Sequence, residues 1–271
     1  MTSAVTKAFA QAHAENRAAL IGYLPAGFPS VSDAIEAALA MAGAGADVLE
    51  IGLPYSDPLI DGPVIAEAVH RALTSGTRVA DVLRTVEALA SAGVPTLVMT
   101  YWNPVDRYGV GAFARDLAQA GGSGLITPDL TLEEAGPWLE ASDTYGLDRV
   151  FLAAPSSTDT RVAAIAQACR GFVYAASVMG ITGTRDAVSS DAPALVERIR
   201  EHTELPVAVG LGVSNGAQAK QVAAYADGVI VGTAFVRRVL AAAYAEDPAA
   251  GVAGVRDLAA ELSDGVHRNT R

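Results

Sequence analysis

Ala46-Asp-Val-Leu-Glu-Ile-Gly-Leu-Pro-Tyr-Ser-Asp-Pro-Leu-Ile-Asp-Gly-Pro63 starts as a short apolar run and ends as a loop crowded with proline, glycine and aspartate. The run is too short and too apolar for a surface helix, and it suits a parallel strand covered on both faces. Along such a strand Val48 and Glu50 point to one side, and Leu49 and Ile51 to the other. The stretch carries three carboxylates, Glu50, Asp57 and Asp61, where a purely structural loop needs none.

Similar runs recur along the chain at 19–24, 96–100, 124–127, 149–153, 172–176, 207–210 and 228–231. Alanine-rich segments with helical spacing lie between them, for example 32–44, 79–92, 111–120, 159–169, 192–201 and 216–224. Several of these segments run into a glycine, at Gly43, Gly93, Gly121 and Gly171, a common helix stop. Eight strands alternating with at least eight helices make an α/β fold. With no linker or break in composition, the pattern favours a single (β/α)8 TIM barrel over residues 1–271, with extra helices that include an amphipathic one at the N-terminus. A length of 271 residues suits that architecture, which typically needs about 250. A doubly wound open sheet is the structural alternative.

A net charge of −11 disfavours nucleic acid and anionic membrane surfaces as partners, since both need a basic face. A small phosphate ester remains possible, because backbone N–H groups bind phosphate without net positive charge. Cys169 is the one cysteine, so no internal disulfide forms, which fits the reducing cytoplasm. No apolar run reaches the ~18 residues of a transmembrane helix, and the N-terminus lacks the pattern of a secretory signal.

In such barrels the chemistry sits on the loops after the strands. A carboxylate at Glu50, buried on a strand, has a raised pKa and suits a general acid; pairing with an arginine is the plainer alternative. Asp61, before Gly62-Pro63, reads in isolation as a helix cap, and Asp57-Pro58 as a turn. What distinguishes Asp61 is a second carboxylate near the mouth where Glu50 lies. The turns Gly210-Leu211-Gly212 and Gly232-Thr233 follow the seventh and eighth runs, where barrels commonly bind phosphate. The long connection 177–191, with Gly180 and Gly183, suits a mobile lid, or else a plain surface loop.

Two overlapping patterns are weak. Gly212-Val213-Ser214-Asn215-Gly216 has the form of a nucleophile elbow, but His267 is the only later histidine. The start of a dinucleotide fingerprint at Gly210 fails at Asn215. Lys7 and Lys220 are the only lysines and neither stands at a strand end, so a Schiff base is not to be expected. His13, His70, His202 and His267 show no ligand spacing, so no metal site is expected. Cys169 reads as a packing residue.

Residues 49–63 resemble the signature of the tryptophan synthase α-subunit family. So, in the family order, do Tyr23-Leu24-Pro25-Ala26-Gly27-Phe28-Pro29, Met99-Thr100-Tyr101-Trp102-Asn103-Pro104, Pro128-Asp129-Leu130, Gly171-Phe172-Val173-Tyr174, Gly180-Ile181-Thr182-Gly183, 209–213 and 231–234. The resemblance spans essentially the whole chain. It implies a lyase that cleaves indole-3-glycerol phosphate to indole and glyceraldehyde 3-phosphate by carboxylate acid–base catalysis, with no cofactor in this chain. It also implies a β subunit that uses pyridoxal phosphate, in an assembly of two α and two β chains.

Carried over residue by residue, the resemblance makes Glu50 and Asp61 catalytic. Tyr174 lines the site, and Tyr23 and Leu211 pack on the indole. Gly183, Gly212, Gly232 and Thr233 hold the phosphate, and Thr182 meets Asp57 when the lid closes. Pro54, Asp57, Asn103 and Asp129 form the partner and lid contacts. Ala175-Ala176 and Thr131 depart from the family pattern. A retro-aldol cleavage needs an electron sink, and an indole protonated at C3 supplies one without imine or metal. Two other classes remain open at this point: a non-catalytic barrel that senses a phosphorylated ligand, and another phosphosugar isomerase.

Overall fold

The computed structural model describes residues 3–177 and 191–267. Nine parallel strand segments form one sheet: β1 (Ala19–Pro25), β2 (Val48–Gly52), β3 (Thr96–Met99), β4 (Gly124–Ile126), β5 (Asp148–Val150), β6 (Leu152–Ala153), β7 (Val173–Ala176), β8 (Val207–Gly210) and β9 (Gly228–Val231). Their spatial order is β5-β4-β3-β2-β1-β9-β8-β7-β6. β5 and β6 stand at the two ends of that order but adjoin in sequence, separated only by Phe151. They are two halves of the fifth predicted strand, which pairs with β4 through its first half and β7 through its second. The sheet therefore closes into an eight-membered barrel. The expectation of eight strands is met with one interruption, at a residue whose ring is buried on the outer side.

Helices fill the connections: α1 (Ala4–Ala14), α2 (Val31–Gly43), α3 (Pro63–Thr74), α4 (Val79–Ser91), α5 (Trp102–Tyr108), α6 (Val110–Gln119), α7 (Gly136–Tyr145), α8 (Asp159–Ala168), α9 (Asp191–Arg200), α10 (Gly216–Ala223), α11 (Thr233–Tyr244) and α12 (Pro248–Gly265). Their starts follow capping chemistry. The side chains of Ser3, Ser30, Thr158 and Asn215 accept from the N–H groups of Thr6, Asp33, Arg161 and Gln218. Gly93, Gly121 and Gly171 take the left-handed backbone expected after a helix. Gly43 does not: it is the last residue of α2, and the positive φ falls on Gly45 instead.

The sidedness of the strands sorts the core into two layers. Leu49 and Ile51 face outward with Leu20, Leu24, Val98 and Leu125 against the helices. Val48 faces into the barrel with Ile21, Leu97, Ile126, Val150, Phe172, Ala208 and Ile230. α1 covers the N-terminal end of the barrel, with Val5 and Phe9 joining that inner layer and Phe9 lying 5.4 Å from Phe172. Arg17 fixes this plug to the strands. Its two terminal nitrogens donate to Asp47 at 2.6 and 2.8 Å, and Asp47 also accepts from Leu20 N–H at 2.8 Å. Among the described residues, no helix is long and apolar enough to cross a membrane.

Candidate active site

Above the apolar inner layer, the next inward positions are Tyr23, Glu50, Met99, Tyr174 and Gly210. Here the packed interior opens into a cavity of about 460 Å³ at the C-terminal end of the barrel. Tyr23, Glu50, Asp61, Tyr174, Leu211, Gly212, Gly232 and Thr233 all line it. The structure thus brings together, from five strands and the loops after them, eight residues singled out in the sequence. Thr182 and Gly183 lie outside the described residues, as does most of the 177–191 connection.

Glu50 is 1% exposed. Its Oε1 has no hydrogen-bond partner, and no arginine approaches it among the described residues. The plainer reading of Glu50 as half of an ion pair is therefore excluded within the described structure. Burial, with no compensating partner, pushes its pKa up to about 8. At neutral pH this side chain holds a proton in reach of a ligand.

Asp61 sits on the loop between β2 and α3. The N-cap of α3 is Gly62, without a side-chain bond, and Pro63 occupies the first turn, so the helix-cap reading of Asp61 fails. Its carboxylate instead accepts from Tyr101 Oη at 3.0 Å. The same oxygen of Tyr101 accepts from Ile60 N–H at 3.0 Å, so one phenol holds both the carboxylate and the backbone beside it. Burial raises the Asp61 pKa and the Tyr101 bond opposes that rise.

The two cavity tyrosines fit because glycines stand beside them. A Cβ on Gly52 would overlap Tyr23 Oη and fall 2.7 Å from its Cε2. A Cβ on Gly210 would overlap Tyr174 Oη and fall 2.8 Å from its Cε1. On its other side, Tyr23 Cδ1 lies 3.3 Å from the Cβ position of Gly232. The wall on this side is suited to an anion. Gly232 is the N-cap of the 12-residue helix α11 and Thr233 its first residue, so unpaired N–H groups face the cavity. Gly212, with φ 82°, turns the chain after β8 at the same wall.

The remaining predicted residues stand at the rim. Pro54 is buried after β2, while Asp57 is exposed and accepts from the Ser56 hydroxyl at 2.5 Å. Asn103 donates to Tyr55 Oη at 3.1 Å, and the Tyr55 ring lies 5.5 Å from that of Tyr101. Asp129 accepts from Trp102 N–H through both oxygens, at 2.9 and 3.2 Å, and thereby caps α5. Thr131 bonds Glu134 and Ala175 packs outward, both away from the cavity. The elbow-like Ser214 bonds Gln218 within the α10 cap.

Sequence reasoning missed Ile60, Ile65, Met99, Ser177 and Ile230 on the cavity wall, and gave Tyr101 no role. Met99 and Ile230 share the inward side of their strands with Leu97 and Gly228, so alternation alone could have found them.

The family model for the tryptophan synthase alpha chain matches residues 9–267. This chain belongs to the tryptophan synthase alpha chain family. It is 60% identical to the tryptophan synthase alpha chain of Thermobifida fusca (strain YX), with 97% of each chain covered. It is 58% identical to that of Streptomyces coelicolor over 95% of this chain and 94% of the relative. A structure of Mycobacterium tuberculosis tryptophan synthase superposes with a TM-score of 0.90 at 53% identity, covering 99% of this chain and all of the other. The alpha subunit of Legionella pneumophila strain Paris, at 29% identity, still superposes with a TM-score of 0.88. The reaction of the alpha chain family, and of this chain, is the lyase step of tryptophan biosynthesis that cleaves indole-3-glycerol phosphate.

Proposed function

We propose that Glu50 and Asp61 carry that cleavage as a divided pair, Glu50 as the acid and base and Asp61 as the electrostatic partner of the ring nitrogen. The observation that supports this most is the contrast between the two carboxyls on one cavity: Glu50 buried, unpaired and neutral near pH 7, and Asp61 on a loop, held by a phenol. The Glu50 carboxyl gives its proton to C3 of the indole ring. Asp61 accepts the ring N–H hydrogen bond and offsets the positive charge that develops on nitrogen. The bond between C3 and the glycerol carbon then breaks, and its electron pair restores the indole. The hydroxyl on that carbon becomes the aldehyde, and its proton returns to Glu50, so no net proton is consumed.

The phosphate of the substrate rests on Gly212, Gly232 and Thr233, against the start of α11. The indole lies against Tyr23, Leu211 and Tyr174. Thr182 and Gly183 extend this set through the lid, with Asp57 as the latch for Thr182. No cofactor is assigned to this chain. Indole passes to a pyridoxal phosphate-dependent β subunit in a complex of two α and two β chains, in the cytoplasm. The rim that carries Pro54, Asp57, Asn103 and Asp129 is the partner face.

Glu50→Gln tests the assignment. Indole release from indole-3-glycerol phosphate should be lost while binding of a non-cleavable phosphate analogue persists; indole formation near the wild-type rate would refute it. The β subunit should shift the chain in size-exclusion chromatography at micromolar concentration, and an unshifted peak would refute the partner face.

A further inference from the structure

In the reading above Tyr23 contributes only an apolar ring, yet its hydroxyl is placed as a polar group of the site. Tyr23 pairs with Glu50 in the β1–β2 register, and both point into the barrel. The ring leans towards the cavity mouth, and its Oη lies over the bare Cα of Gly52, two residues beyond Glu50 on the same strand face. Gly232 flanks the ring from the other side and limits its swing. The residue is 6% exposed, and the surface that remains faces the cavity. Among the described residues no acceptor takes the proton of this hydroxyl.

We infer that the Tyr23 hydroxyl donates a hydrogen bond to the substrate oxygen next to the indole ring, the oxygen that becomes the aldehyde. The inference rests on the proposed roles of Glu50 and Asp61. The two ends of the substrate leave this oxygen one place. Asp61 holds the ring nitrogen, and the phosphate lies at Gly212, Gly232 and Thr233. Glu50 must reach both ring C3 and the hydroxyl proton on the adjoining carbon. The oxygen therefore sits beside Glu50, and Tyr23 is the residue directly opposite Glu50 in the sheet. As the carbon–carbon bond breaks, this oxygen turns from hydroxyl to carbonyl, passing its proton to Glu50 and keeping its lone pairs. A fixed donor stabilises it throughout, with no proton transferred from the phenol. Burial and the neighbouring carboxyls Asp61 and Glu50 hold the Tyr23 pKa well above that of a free tyrosine, which keeps it a donor.

Tyr23→Phe keeps the ring and removes only the hydroxyl. Assayed with the β subunit present, it should lower kcat for indole-3-glycerol phosphate cleavage by about tenfold, the effect of one lost hydrogen bond of ordinary strength. Melting temperature should be unchanged. Affinity for an indolyl alkyl phosphate that lacks the hydroxyl next to the ring should match wild type. A purely packing role gives the opposite pattern, an unchanged kcat, or a weakened affinity for that analogue along with a lowered melting temperature; either overturns the inference. Glu50→Gln measured in parallel separates two failures. If Glu50→Gln is inactive and Tyr23→Phe is like wild type, only the role of the hydroxyl is wrong. If Glu50→Gln stays active, the reading of the site beneath it is wrong. As a second variant, 3-fluorotyrosine at position 23 keeps ring and hydroxyl and should retain kcat; a drop to the level of Tyr23→Phe would also overturn the inference.

Discussion

Tyr101 Oη donates to Asp61 Oδ1 at 3.0 Å and accepts from Ile60 N–H at the same distance, so a residue after β3 sets the loop after β2. Tyr101→Phe removes both bonds and leaves the ring in place. A charge-assisted bond is worth about 1.5–3 kcal/mol, so kcat/KM should fall by about ten- to a hundredfold. Thermal stability should change little, because the loop is at the surface. Steady-state kinetics beside a thermal melt checks this, and a variant with wild-type kcat/KM would show that Asp61 orients itself.

The buried Glu50 has a stability cost that depends on pH. Its pKa is about 8 in the folded chain, against 4.5 for the ordinary side chain. Between these values the unfolded chain releases a proton that the folded chain keeps, so this group's contribution to stability is full below about pH 4.5 and declines as the pH rises to about 8. Glu50→Gln abolishes that decline. At pH 8–9 the variant should melt higher than wild type, by about 5 °C or more for a chain of this size. The two should converge near pH 4. Calorimetry across this range decides it; parallel curves would mean that Glu50 titrates normally. Activity of the wild type should also fall above about pH 8, as the acid is lost, and fall at low pH as Asp61 is protonated, at a point above the 3.8 of a free aspartate.

Gly52→Ala places a methyl group into the Tyr23 ring. The tyrosine must move into the cavity or the strand must shift. Overpacking of this kind costs about 1–3 kcal/mol. We expect a lower melting temperature and a higher KM together. Unchanged kinetics would mean that Tyr23 swings aside without disturbing the site.

Asp129 presents a separable case, because it caps α5 and is also assigned to the partner face. Asp129→Ala should cost about 1 kcal/mol through the lost cap alone. Asp129→Asn keeps an acceptor for Trp102 N–H. If the negative charge serves the β subunit, Asn should restore stability but not association. Chemical denaturation and titration with the β subunit separate the two. Restoration of both by Asn would reduce Asp129 to a cap.

Much of this architecture can be read from the chain, for identifiable reasons. Strand sidedness placed Glu50 and Val48 together on one face, because alternation is a local rule, and the fold turns that face inward. Turn chemistry located Gly212 and Gly232 at the mouth. The break at Phe151 was not legible, since the short apolar run 150–153 looks the same whether or not it bends to close a barrel. The capping of α5 by Asp129 was missed for another reason: the two residues that bond are 27 positions apart. The hold of Tyr101 on Asp61 spans 40 positions and belongs to the same class. Conversely, Asp61 looked like a helix cap in one dimension, and only the fold showed that Gly62 takes that place. Contacts across loops depend on which strands become neighbours, and no local pattern carries that.

Asp47→Ala should be the most damaging of the substitutions away from the cavity. It leaves Arg17, which is 10% exposed, with only Glu15 and the Ala18 carbonyl as partners, and frees Leu20 N–H. Because Glu15 still neutralises Arg17, the lost charged hydrogen bonds cost about 1.5–3 kcal/mol. Urea denaturation should show this, with catalysis in native buffer nearly intact; a loss under about 1 kcal/mol would mean that water replaces the bond.

The chamber above Glu50 is carved by subtraction. Gly52 and Gly210, on strands that keep their pairing, and Gly232, just past the end of β9, withhold three side chains from the inward side. A barrel that makes space in this way does not have to spread its staves, so the frame that aims the carboxylates is independent of the size of the room. Remodelling of this chain for a bulkier ring therefore has a natural direction: trim Tyr23 or Tyr174, which protrude into the room, and leave untouched the backbone that the missing side chains expose.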